Sequence, residues 1–259
     1  NNVKLGLSAH PSQVLLINAH NGVVEALMDG TYITALRTGA ASGLAFDLFA
    51  KKECEIGAII GTGGQALCQL EAMLTARRLK EVRVCGRAFE HTEAFVDKAQ
   101  KELAGYGAEI RAVKTSDEAV EDADLLITVT PSKAPVFDAD KVKEGITVSC
   151  IGGYQPDMQE LDSKIFKRCD KIYFDSKAAV LAEAGDILIP LKEGKVKEAD
   201  FTGDIGEYLL NKIPGREGED EIIVFKSVGV AAQDLVTAGE IYKKAVEARA
   251  GIDTASFGY

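Results

Sequence analysis

From residue 54 onward, short apolar runs alternate with amphipathic stretches, the arrangement that a parallel sheet covered by helices on both faces requires. The runs at 56–60, 82–85, 109–113, 125–129 and 147–151 predict five strands, and 171–174 predicts a sixth. Within 65–79, Ala66, Leu67, Leu70, Met73 and Leu74 recur at helical spacing, and a second helix is expected over 90–103. Gly105 and Gly107 end that helix, and Ser116-Asp117-Glu118 opens a short one with a capping residue. Ahead of this unit, β-type runs at 13–18 and 23–28 flank His20-Asn21-Gly22 and predict a hairpin. After it come a strand from Ile222 and a helix over 230–248, with Ala231, Leu235, Ala238, Ile241, Tyr242 and Ala245 on one side. The pattern predicts an α/β fold: a doubly wound parallel sheet flanked by a second, discontinuous α+β domain built from both chain ends.

Composition narrows the classes. The 259 residues are 46% hydrophobic and 27% charged, which excludes disorder and low complexity. At that length roughly three quarters of the unfolded surface can be buried without disulfide or metal staples. Asp and Glu number 40 against 30 Lys and Arg, a net charge of −10 with no basic run, so no nucleic-acid partner is expected. The apolar runs are too short to cross a bilayer and no signal peptide is visible, so no membrane partner is expected and the default compartment is cytoplasmic. The cysteines (Cys54, Cys68, Cys85, Cys150 and Cys169) are odd in number and form no C-x-x-C pair, which speaks against a disulfide framework. His10, His20 and His91 show no ligand spacing, so no metal site is expected. Asp175, Glu183, Asp186 and the acidic stretch 217–221 read as helix-end and solvated-loop charges. The chain opens Asn1-Asn2-Val3-Lys4 and passes at once into ordered-looking sequence, so it is expected to be the remainder of a longer protein.

The chemistry concentrates in Gly57-Ala58-Ile59-Ile60-Gly61-Thr62-Gly63-Gly64-Gln65-Ala66, an apolar strand running through G-x-G-x-x-A into a helix. The first glycine permits the tight turn, the second lets the backbone approach a pyrophosphate, and the small third residue lets the helix pack close to the strand. The helix N-terminus then faces the anion, so the reading is a Rossmann-type dinucleotide-binding unit. The next strand ends Val84-Cys85-Gly86-Arg87, without the carboxylate that binds a free ribose 2′-hydroxyl. Arg87 offers instead a fixed charged fork suited to a 2′-phosphate, so NADP(H) is favoured and NAD(H) remains possible.

Several separated motifs now stand in order: 34–43 (Thr-Ala-Leu-Arg-Thr-Gly-Ala-Ala-Ser-Gly), 60–66, Gln69-Leu70-Glu71-Ala72, Thr128-Val129-Thr130-Pro131-Ser132 and Val224-Phe225-Lys226-Ser227-Val228-Gly229. Together they resemble the ornithine cyclodeaminase/mu-crystallin family over nearly the whole chain. The resemblance implies a two-domain subunit, usually a homodimer, that holds NAD(P)(H) and handles the α-carbon of a small amino or imino acid. Residues 1–36 and 229–259 would form the substrate and dimerisation domain, short of its first elements, and 37–228 the dinucleotide-binding domain. Cofactor contacts are implied at Thr38, Gly61, Thr62, Gly63, Gly64, Gln65, Arg87, Thr130, Ser132, Gly152, Ser227 and Val228. Arg37 matches the arginine that clamps the substrate carboxylate, a role suited to a planar guanidinium. Lys4 resembles the lysine that joins this clamp.

One departure bears on the reaction. At Ile151-Gly152-Gly153-Tyr154 this sequence has Tyr154 where cyclodeaminases carry an aspartate, and a phenol with a reference pKa near 10 is a poor base at neutral pH. Reduction of a ring imine asks only for a carboxylate anchor, a placed hydride donor and a proton source. The expectation is therefore an NAD(P)H-dependent reductase of a cyclic ketimine, of the Δ1-pyrroline-2-carboxylate or Δ1-piperideine-2-carboxylate type, with Tyr154 as a hydrogen-bond donor. Ornithine cyclodeaminase, an alanine-type dehydrogenase and a non-catalytic NADPH-dependent binding protein are the alternatives.

Overall fold

The computed structural model describes residues 2–6 and 11–253, without the side chains of Val3 and Lys4. The chain divides into two compact units, Asn1–Arg37 with Ala231–Tyr259, and Thr38–Val230.

In the first unit, β1 (Gln13–Ile17) and β2 (Val24–Asp29) pair antiparallel around the predicted turn, where Gly22 has φ +76° and donates its N–H to the Asn18 carbonyl at 2.8 Å. The unit also holds the start of α1 (Gly30–Phe49) and α8 (Ala231–Ala248). The expected apolar side of α8 is not a buried stripe: Ala238 is buried, whereas Leu235 is exposed, as are Leu15, Ile17 and Leu27 of the hairpin. A surface made apolar by the sequence thus faces outward in the single chain.

The second unit is an eight-stranded parallel sheet in the order β5-β4-β3-β6-β7-β10-β8-β9. Its strands are β3 (Ile56–Ile60), β4 (Glu81–Cys85), β5 (Glu109–Ala112), β6 (Leu125–Thr128), β7 (Thr147–Cys150), β8 (Lys171–Phe174), β9 (Gly203–Asp204) and β10 (Ile223–Lys226). All but β9 answer to predicted runs; β9 has two residues and no periodicity to read. Helices cover both faces. Ile59, Val82, Val84, Leu125 and Ile127 pack with Phe46 of α1, α2 (Ala66–Ala76) and α3 (Phe89–Glu102), while Ala58, Ile60, Leu126, Val148 and Val224 face the opposite layer, which includes α4 (Ser116–Val120). Consecutive residues of one strand therefore enter different cores, which is why central runs such as 56–60 and 125–127 are continuously apolar. The short helix α4 is capped one residue earlier than expected, the Thr115 hydroxyl accepting from the Glu118 N–H at 3.1 Å. Three further helices, α5 (Lys177–Glu183), α6 (Gly185–Lys192) and α7 (Ile205–Leu209), lie between β8 and β10 in the chain. The sequence reading assigns no element to 30–49, where α1 runs. Among the described residues no helix is long and apolar enough to cross a membrane, and none form a cluster that could hold a metal ion.

This strand order has a switch point. From β3 the chain moves through α2 to β4 on one side, then returns to place β6 on the other, leaving a crevice at the carboxyl ends of β3 and β6, where open α/β sheets bind ligands.

Candidate functional site

The glycine loop lies at that crevice. Buried β3 runs into Gly61, whose φ is +120° and whose absent Cβ would stand 2.5 Å from the Val129 carbonyl oxygen, so both backbone and space demand glycine. Its N–H donates to the Cys85 carbonyl at 2.8 Å, tying the loop to the tip of β4. Gly63 and Gly64 are exposed with no atom within 4 Å of where a Cβ would be, which leaves room for a group to approach the backbone. No side chain caps α2, and the buried Gln65 Oε1 at its start has no hydrogen-bond partner among the described residues. An open loop and an uncapped helix N-terminus fit a bound dinucleotide pyrophosphate.

At the tip of β4, Gly86 lies against Thr62 and Thr92. Arg87 follows on the surface, with no hydrogen bond or ion pair among the described residues. A second cation stands at the tip of neighbouring β5, where the Lys114 ammonium sits 5.7 Å from the centre of the Phe89 ring. Sequence reasoning missed Lys114; its place just beyond β5, beside the β4 tip, was the available signal.

The loops after β6, β7 and β10 meet over a buried charged node. Glu160, fully buried, accepts hydrogen bonds from the Thr128 hydroxyl (3.0 Å) and from the backbone N–H groups of Thr130 (2.5 Å) and Gly152 (2.6 Å). Asp186, also fully buried, accepts the N–H groups of Glu160 (2.6 Å) and Leu161 (2.9 Å) on one oxygen and the Lys226 ammonium (2.9 Å) on the other. Burial, reinforced by Asp186, pushes the Glu160 carboxyl up to about 7 against the pull of Lys226 and the Thr130 N–H. Burial alone would lower the Lys226 ammonium, but Asp186 and Glu160 outweigh it and the net shift is upward. The neighbouring Cys150 thiol is raised by burial and then by Asp186. Two acidic residues read as helix-end or solvated-loop charges are thereby corrected. Asp186 does stand in the first turn of α6, but inside the protein. Asp175, half-buried at the end of β8, accepts from the Ser227 hydroxyl (2.6 Å) and the N–H groups of Val228 (3.1 Å) and Gly229 (2.6 Å), shaping the loop after β10. Lys226 points into the node rather than toward a ligand. Thr130, Ser132 and Tyr154 are half-buried, and Gly152 and Ser227 are buried.

In the first unit, Arg37 donates to Asp234 (3.2 Å) and Gln233 (3.3 Å) of α8. Thr38, its neighbour on α1, is buried in the second unit. The side chain of Lys4 and the whole of His10 lie outside the described residues. A cavity of about 680 Å³ at the base of the hairpin, lined by Ser12, Gln13, Met28 and Thr31 among others, includes none of the predicted site residues.

The model of the ornithine cyclodeaminase/mu-crystallin family matches residues 1–249. The chain belongs to this family. Among its members, a Δ1-pyrroline-2-carboxylate reductase of Bacillus cereus is 35% identical over 250 residues, covering 96% of this chain and 76% of the relative. The solved structure of Thermococcus litoralis Δ1-pyrroline-2-carboxylate reductase in complex with NADH and L-proline matches with a TM-score of 0.92 and 38% identity, over 97% of this chain and 77% of that one. An archaeal alanine dehydrogenase dimer with bound NAD matches with a TM-score of 0.88 and 33% identity, over 97% and 76% respectively. Of the features the family pattern implied, the glycine loop and the loops after β6, β7 and β10 all belong to one unit, at the carboxyl ends of its strands. What the pattern did not reveal is that Asp234 holds Arg37, the arginine expected to meet the substrate carboxylate, and that Glu160 and Asp186 underlie the loops.

Proposed function

We propose that this chain is an NAD(P)H-dependent reductase of a small cyclic imino acid, of the Δ1-pyrroline-2-carboxylate or Δ1-piperideine-2-carboxylate type. The observation that carries the reading is the likeness, over 97% of the chain, to a reductase whose structure holds NADH and L-proline. The glycine loop with its uncapped helix supports the cofactor part of the reading. When bound, the dihydronicotinamide supplies a hydride for the imine carbon. The protein's own residues then have three tasks.

Arg37 clamps the substrate carboxylate through paired N–H donors, with Asp234 and Gln233 as its holding partners before substrate arrives. Lys4 joins the clamp by family resemblance. Tyr154 donates a hydrogen bond to the substrate, and a proton from solvent or a nearby acid completes the amine. Thr38, Gly61 to Gln65, Thr130, Ser132, Gly152, Ser227 and Val228 line the cofactor. Arg87 favours NADPH, because it follows the β4 tip as an exposed guanidinium without an ion pair among the described residues, and the sequence Val84-Cys85-Gly86-Arg87 carries no carboxylate. The exposed apolar side chains of the hairpin and α8 support a homodimer, checked by light scattering on the eluting protein.

The direct assay follows loss of absorbance of NADPH or NADH on adding Δ1-pyrroline-2-carboxylate or Δ1-piperideine-2-carboxylate. Absence of turnover across cyclic and linear imino acids would refute the reading. Arg37→Lys should raise KM far more than it lowers kcat, since a point charge cannot reproduce the paired clamp. Arg87→Ala should reduce kcat/KM for NADPH and leave NADH nearly untouched. The likeness to the alanine dehydrogenase favours a second reading, reductive amination of a small 2-oxo acid, detected by turnover with pyruvate and ammonia.

A further inference from the structure

We propose that Glu160 is a positioning residue for the nicotinamide cofactor, its buried carboxylate joining the Thr130 and Gly152 N–H groups so that the loops after β6 and β7 are held in one fixed register. The inference rests on the proposed dinucleotide-dependent reductase reading and names a residue beneath the cofactor loops.

The adjacent strands β6 and β7 run parallel, paired from Leu125 with Thr147 to Thr128 with Cys150, and the ladder's last rung is the Ile151 N–H on the Thr128 carbonyl at 2.9 Å. Beyond that rung the chains turn outward to form the lip of the crevice, and the next N–H groups, Thr130 and Gly152, both point at Glu160. A carboxylate has enough lone pairs to accept both, together with the Thr128 hydroxyl, and it does so across 30 and eight residues of sequence. An apolar residue of the same size would leave two loop N–H groups buried without acceptors. Burying a carboxylate is itself unfavourable, so stability alone gives no reason to prefer it to a packed apolar side chain. What the carboxylate adds is geometry. Gly152 shows how tight that geometry is: a Cβ there would stand 2.0 Å from the Thr130 carbonyl oxygen and 2.6 Å from the Glu160 carboxyl.

The third loop is tied to the same residue. Asp186 accepts the Glu160 backbone N–H and holds Lys226, the residue immediately before Ser227 and Val228. The charged or titratable groups facing the Glu160 carboxyl are thus Asp186 from α6, Lys226 from β10 and Cys150 from β7. Protonation of Glu160 removes acceptor capacity and slackens the link between the two loops.

The test measures NADH affinity by fluorescence for wild type, Glu160→Gln and Thr128→Val from about pH 5.5 to about pH 8.5. NADH is the probe because it lacks the 2′-phosphate, whose second ionisation at about pH 6 would confuse the profile. Wild-type Kd should rise several-fold as pH falls through the Glu160 titration. Glu160→Gln, which places an amide donor against an N–H, should bind about tenfold more weakly at the alkaline end and lose the pH dependence. Thr128→Val, close in shape and with its fold checked by circular dichroism, removes one of three donors and should move the midpoint upward, a change that a purely structural role would not produce. Wild-type affinity and profile in Glu160→Gln, or an unmoved midpoint in Thr128→Val, overturns the proposal while leaving the reductase reading intact. If wild type binds neither NADH nor NADPH, the reductase reading fails first and the positioning role falls with it.

Discussion

Asp124 offers the sharpest test of how this sheet is held together. Its carboxylate is about 5% exposed and accepts the N–H groups of Glu55 (2.7 Å) and Ile56 (3.1 Å) at the start of β3, as well as the ammonium groups of Lys51 (3.1 Å) and Lys143 (2.8 Å). Asp124 immediately precedes β6, so one side chain joins the N-terminal ends of the two strands that flank the switch point. Burial opposes the charge, but Lys143, the two backbone N–H groups and Lys51 together bring the pKa down from 3.8 to about 2. At about 1.4 kcal/mol per unit, that lowering contributes about 2 kcal/mol of stability at neutral pH. Because the folded value is the lower one, the contribution is complete above the ordinary carboxylate value and disappears as pH falls from about 4 to about 2. Asp124→Asn keeps the shape and one acceptor but turns an NH2 group toward the lysines. It should lower Tm at pH 7 by roughly 4–8 °C for a unit of this size. The assay is thermal unfolding by circular dichroism from neutral pH down to about pH 3. The Tm difference between variant and wild type should stay constant to about pH 5 and then narrow. A variant within about 1 °C of wild type at pH 7, or a difference that does not narrow in acid, refutes the reasoning.

Gly61→Ala must accommodate a Cβ 2.5 Å from the Val129 carbonyl at φ +120°, and should lose about 2–4 kcal/mol of stability together with dinucleotide binding; unchanged Tm and NADH affinity would contradict it. Asp175→Asn weakens the acceptor shared by Ser227, Val228 and Gly229. Faster amide exchange confined to residues 227–229, read by mass spectrometry, is the expected result, and unchanged exchange there counts against it. Of the five cysteines, Cys54, Cys85 and Cys150 are buried, and burial lifts the Cys54 thiol to about 11 and the partly exposed Cys169 to about 12. A thiol reagent near neutral pH should therefore label the native protein slowly and all five sites in denaturant; rapid native labelling of Cys150 would show that the node is open to solvent.

The central strands were legible because they are buried on both faces. A run such as Ile-Gly-Ala-Ile-Ile at 56–60, or Ile-Val-Phe-Lys at 223–226, needs no partner to be recognised as an interior parallel strand. The glycine loop was legible for a similar local reason, since Gly61 must occupy a backbone conformation that other residues resist. Helix α1 was not, because Gly39 and Gly43 and the polar Thr31, Thr34, Thr38 and Ser42 blur the helical period, and its sides pack into two different cores. The expected apolar face of α8 failed on Leu235, because spacing identifies an apolar face without saying what covers it.

The charged residues separate the two levels most clearly. Local sequence determined the strand–loop–helix that begins at residue 56, together with the chemistry available at Arg37, Arg87 and Tyr154. It did not determine which charges lie inside. Asp186 in Gly-Asp-Ile reads as a helix-start carboxylate, Glu160 as one acid among several, and Lys226 as the polar end of a strand. Their burial follows from a topology that places β10 between β7 and β8 and folds residues 160 and 186 over the strand ends. Arg37 and Asp234 meet from positions 197 residues apart. Periodicity and glycine punctuation act over a few residues and can be read there, whereas the cost of a buried charge and the partner that offsets it exist only after distant parts of the chain have come together.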